Sequence, residues 1–98
     1  MAVVERIAIE NVNTGGVVRV DAAKYRAACT AVKAVLPSSA PGLTLAELKR
    51  AMLPLLPEAL FPGGAKAGWW LMAVQLDLRA KGVVIAESTK PMRLHLQP

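Results

Sequence analysis

The stretch AKAGWWLMAVQLDLRAKG, residues 65–82, constrains the fold more than any other part of the chain. Wound at 3.6 residues per turn, it sets Leu71, Val74 and Leu78 along one apolar stripe. Trp69, Met72, Ala73, Leu76 and Ala80 form a second stripe on a largely different side. Gln75 with Arg79, and Asp77 with Lys81, fill the two narrow polar strips between. A helix apolar on nearly all sides is normally covered on nearly all sides. The first stripe therefore needs a core. The second needs another layer, supplied either by the N-terminal hairpin or by a second subunit. The spacing predicts a helix from about Lys66 to Lys81, closed by Gly82 in the left-handed conformation.

The other elements are shorter and well punctuated. Residues 3–20 read as two strands, with apolar Ile7 and Ile9 alternating with Arg6, Ala8 and Glu10, then the β-branched run Val17-Val18-Arg19-Val20. Asn13-Thr14-Gly15-Gly16 between them tolerates positive φ and predicts a hairpin. Asp21 is a good N-cap for an amphipathic helix carrying Tyr25, Cys29, Val32 and Leu36 on one side and stopped by Pro37. Thr44 and Glu47 match a capping box opening a helix with Leu45, Leu48 and Met52 together. Residues 54–64 hold three prolines and two glycines and read as a connection. Val83 to Glu87 and Met92 to Gln97 predict a final hairpin with one buried face.

A chain of 98 residues holds one domain, spanning residues 1–98. Its 54% hydrophobic content excludes a disordered chain. Charges or prolines interrupt every apolar run before the roughly 20 residues of a membrane span, and Met1 to Arg6 lack the pattern of a signal peptide. A single cysteine, Cys29, excludes an internal disulfide and points to the reducing cytoplasm. Twelve Lys+Arg against seven Asp+Glu give a net charge of +5, compatible with a polyanion such as nucleic acid. So much apolar sequence in so small a domain equally predicts burial against a second chain.

Strands, three helices and a closing hairpin, with Leu78 and Gly82 ending the third helix as Leu-x-x-x-Gly, resemble a winged helix-turn-helix domain. The segments VDAAKY, FPGGAKAGWW, VQLDL and AKG are also similar to a family of small uncharacterised bacterial proteins of that class, over nearly the whole chain. The resemblance implies an α+β fold with three main helices, an N-terminal β-hairpin and a C-terminal β-hairpin wing. It implies no particular activity. One departure stands out: about a dozen residues separate the second and third helices, where compact helix-turn-helix units use a few.

By analogy of fold, the expected function is a small DNA-associated regulatory protein, with double-stranded DNA as partner. Lys49, Arg50, Lys66, Lys90 and Arg93 are then the phosphate contacts and Gln75 and Arg79 the base readers. The alternative on the same fold is a protein-interaction or homodimerisation module. Its surface would be Trp69, Met72 and Leu76 with the outer face of residues 3–9. Adjacent helical residues point about 100° apart, so Trp69 and Trp70 cannot form one base-stacking platform. Gly63-Gly64-Ala65-Lys66 lacks the Gly-Lys-Ser/Thr of a phosphate loop. One histidine, His95, and one cysteine supply no metal-ligand spacing, and no acidic pair falls at a helical i, i+3 or i+4 step. Neither catalysis nor a cofactor is expected.

Overall fold

The computed structural model describes residues 4–98. Strand β1 (Arg6–Glu10) and strand β2 (Val17–Asp21) form an antiparallel hairpin in which Ile7 faces Val20 and Ile9 faces Val18. Helix α1 (Ala22–Val35) follows at once, and the Asp21 carboxylate accepts from the Lys24 N–H at 3.1 Å to cap it. The two-residue strand β3 (Leu43–Thr44) leads into α2 (Leu45–Met52), where Thr44 and Glu47 form the reciprocal capping box. Helix α3 (Ala67–Ala80), strand β4 (Val84–Glu87) and strand β5 (Arg93–Leu96) complete the chain. The described residues form an α+β structure with three α-helices and two small antiparallel sheets. No helix among the described residues is long and apolar enough to cross a membrane.

The second sheet has the order β3-β5-β4, so the last strand returns between its hairpin partner and the strand that precedes α2. Leu48 and Met52 of α2, Val32 of α1, Val74 and Leu78 of α3 and Leu94 of β5 meet in one continuous core. Helix α3 ends as its sequence predicts. Gly82 takes φ +73°, its N–H bonds the Arg79 carbonyl, and the Val83 N–H bonds that of Leu78. This pair of hydrogen bonds is the Schellman termination.

The long connection between α2 and α3 is anchored. Leu53–Leu55 and Pro62–Gly64 are short 3-10 turns, and one helical turn starts at Pro57. Leu56 and Phe61 are buried in the core, and the Phe61 ring meets Trp70 edge-on with centroids 6.2 Å apart. The extra residues add wall to the core.

Gly42, ahead of β3, holds φ +83°, and a Cβ there would overlap the Leu94 backbone carbonyl. Gly42→Ala is expected to destabilise the fold by at least about 2 kcal/mol in urea titration. Gly15→Ala, at φ +73° with open space around it, should cost only about 1 kcal/mol. Equal losses would show that backbone strain alone, without the β3–β5 approach, sets the requirement at Gly42.

Candidate functional site

The position of the first hairpin is set by one carboxylate. Asp77 has no exposed surface, and a buried charge is costly unless its oxygens are satisfied. The Glu10 N–H donates to its Oδ1 at 2.9 Å, while the Tyr25 hydroxyl at 2.5 Å and the Lys81 ammonium at 2.6 Å reach its Oδ2. The three donors come from β1, α1 and the C-cap residue of α3. Desolvation pushes the Asp77 pKa up, but the bonds from Lys81, Tyr25 and Glu10 outweigh it and hold it below the usual carboxylate value. Burial and the Asp77 hydrogen bond push the Tyr25 pKa far above that of free tyrosine.

Held in this way, the hairpin lies beside α3 and leaves a groove of about 340 Å³ between them. Ile9 and Val18 line one wall, with Val17 beside them on the opposite face of the strand; Trp69, Met72 and Leu76 line the other. The groove is not a closed core. Val17 and Val18 are 60% and 57% exposed, and Trp69 and Met72 are 53% and 44% exposed. The paired tryptophans are thus divided: Trp70 is buried against Phe61, and Trp69 packs edge-on against Trp70 at 5.0 Å with half its surface in solvent. Exposed apolar side chains on both sides of one groove make a surface ready to cover another apolar body.

The residues expected from sequence fall into distinct places. Trp69, Met72 and Leu76 line one groove, as their common stripe implied. The other half of the expected surface needs correction. On β1 the outward side chains are Arg6, Ala8 and Glu10, and the apolar counterpart of α3 comes from Ile9 and from β2. Val3 lies outside the described residues. Gln75 also needs correction as a base reader. It has no exposed surface, and its Oε1 accepts from Arg79 at 3.3 Å while its Nε2 lies 3.9 Å from the Met72 sulfur. Arg79 is half-buried and engaged with Gln75.

Lys49, Arg50, Lys66 and Lys90 are exposed. Arg93 is not a free cation: it donates to the Gly42 carbonyl at 3.0 Å and pairs with Glu47 at 3.2 Å, joining β5 to the start of α2. His95 is buried, with Nδ1 2.9 Å from the Leu96 carbonyl and Nε2 3.6 Å from Glu87. Among the described residues no group of three His, Cys, Asp or Glu is placed to hold a metal. Sequence reasoning missed Val17, Val18 and the Asp77 cluster. The signals available were the broken alternation of β2 and an acid inside an apolar helix opposite a core-facing tyrosine.

A family model described as a family of unknown function (DUF6958) matches residues 6–94, from the start of β1 into β5. No curated protein and no solved structure matches the chain.

The Asp77 cluster predicts a two-sided pH dependence. Because the folded pKa of Asp77 is depressed, its contribution is complete above the unfolded value near 3.8 and is lost as pH falls through the folded one. Because that of Tyr25 is raised, its contribution is complete below pH 10 and declines above it. Urea titrations across pH should show both limbs, with the acid limb flattened in Asp77→Asn and the alkaline limb in Tyr25→Phe. At neutral pH Tyr25→Phe should cost about 1.5–3 kcal/mol, the range for a hydrogen bond to a charged group.

Proposed function

The chain belongs to this family of unknown function, and we propose from its own surface that it is a non-catalytic winged-helix-class module that docks another polypeptide. The winged-helix reading is supported by the order helix, short strand, helix, helix and two strands, with β5 lying between β3 and β4. In such a frame α3 occupies the place of a recognition helix. The docking reading rests on one observation: around α3 the exposed side chains are Trp69 and Met72, beside the exposed Val17 and Val18. Base edges are read by hydrogen-bonding side chains, and the amide of Gln75 is withdrawn into the interior. The lone thiol Cys29 supports a reducing, cytoplasmic setting.

A second reading, association with duplex DNA, is favoured by the exposure of Lys49, Arg50, Lys66 and Lys90. None of them enters an ion pair among the described residues. That set suits phosphate contact without sequence readout.

A photoreactive residue at Met72 in living cells is expected to give discrete polypeptide adducts, and one at exposed Ala23 of α1 none. No adduct at Met72, or a nuclease-sensitive one, would overturn the docking reading. Trp69→Ser with Met72→Ser should change stability by less than about 1 kcal/mol; a larger loss would make these residues core. Random duplex should give no complex at micromolar protein in low salt. A salt-sensitive complex lost in Lys49→Glu/Arg50→Glu would establish the DNA reading instead.

A further inference from the structure

The first hairpin is a two-stranded sheet, so it has two outer edges. The Asn11 N–H bonds the Gly16 carbonyl at 2.9 Å and the Ala22 N–H bonds the Glu5 carbonyl at 2.9 Å, so the pairs at both ends of the ladder are of the hydrogen-bonded kind. In an antiparallel ladder such pairs alternate with pairs whose N–H and C=O point outward. Counting along the register, Ile9–Val18 and Ile7–Val20 exchange bonds, while Glu10–Val17 and Ala8–Arg19 point outward. The Glu10 N–H reaching out to Asp77 fits this parity. That bond closes the β1 edge against α3 at Glu10. On β2, the outward backbone groups of Val17 and Arg19 have no partner among the described residues. A free strand edge carrying exposed valines is a template for another strand.

We propose that the β2 edge pairs antiparallel with β2 of a second copy of this chain, forming a symmetric dimer whose continuous sheet covers Trp69 and Met72. The proposal rests on the polypeptide-docking reading and names its partner. Charge and register select the copy. Pairing centred on Val18 sets Val17 opposite Arg19 of the second copy, and Val18 against Val18. On the outer face Glu10, Val17 and Arg19 of the second copy then stand in one row. Glu10 and that arginine are two strand spacings apart, about 9.5 Å, with only a valine between them, and symmetry makes the contact twice. On the inner face the row is Ile9, Val18, Val18, Ile9, apolar throughout and on the side of α3.

Two other registers, toward α1, are worse. Centring on Arg19 places two guanidinium groups directly opposite each other, nearer than the diagonal position they take when the pairing is centred on Val18, and like charges directly opposite are destabilising. Centring on Val20 requires the edge of Asp21, whose carboxylate caps α1 and whose next residue is already helical. A twofold axis through Val18 keeps both inner faces on one side, which brings the two exposed Trp69–Met72 surfaces together beneath the joined sheet.

Sedimentation velocity on the full chain should show a reversible dimer. Arg19→Glu should weaken it by roughly tenfold or more through the two symmetric contacts. Adding Glu10→Arg to Arg19→Glu should restore it, because the row is rebuilt with its charges exchanged. Val17→Pro removes an outward N–H and leaves the β1 pairing intact; it should abolish the dimer while circular dichroism stays native. A strict monomer would overturn the proposal, and polypeptide adducts at Met72 would then leave the docking reading standing with a different partner. A dimer indifferent to both Arg19→Glu and Val17→Pro would also overturn it, since association would then run through another surface.

Discussion

Everything on the α3 side of the molecule depends on a carboxylate in a place where carboxylates are expensive. Removing a charge from water costs several kcal/mol even after relaxation. Asp77 offsets that with a backbone amide from β1, a hydroxyl from α1 and an ammonium one helical turn away. Each donor is directional, so the cluster fixes the hairpin where apolar contact alone would leave it free to slide. Ile9 and Val20 bury well, but hydrophobic attraction is non-directional and accepts many positions. The Glu10–Asp77 bond admits one. The width of the groove beside Trp69 follows from it.

The same helix serves two environments, and its residues are divided accordingly. Trp70, Leu71, Val74 and Leu78 enter the core with Phe61 and Leu94. Trp69, Met72 and Leu76 face the groove. Gln75 sits between the two, buried, with its oxygen taken by Arg79 and its amide nitrogen close to a thioether. A polar strip that looks outward on a helical wheel is thereby closed off. The outward chemistry of α3 is apolar.

Features governed by a few consecutive residues were legible in the sequence. The capping box at Thr44 and Glu47, the Asp21 cap and the Gly82 stop each depend on groups within a turn of one another. The groove-facing stripe of α3 was legible because its period is helical. Strand β3 was not, since two residues carry no period and Leu43 is a strand only by pairing with Leu94. The Asp77 cluster was hidden for the same reason on a larger scale, its partners Tyr25 and Glu10 lying 52 and 67 residues away. Arg93 read as a free wing cation because Glu47, its partner, is 46 residues distant. Locally encoded geometry survives reading along the chain; tertiary ion pairs do not.

The positive charge bears on this surface in a way separate from nucleic acid. The pairs Arg26–Glu5, Lys81–Asp77 and Arg93–Glu47 each neutralise one cation with one anion, so they leave the net +5 unchanged. Two molecules carrying that charge repel as they approach, and general repulsion of this kind keeps proteins dispersed. An exposed set such as Val17, Val18, Trp69 and Met72 is a liability without it, because apolar contact is satisfied by many partners. Repulsion at range with local complementarity at one place is how specificity is built against a background of stickiness. In the proposed dimer that place is the outer-face row of Glu10, Val17 and the second copy's Arg19. Exposed apolar area supplies the attraction, and the charges decide which approach can use it.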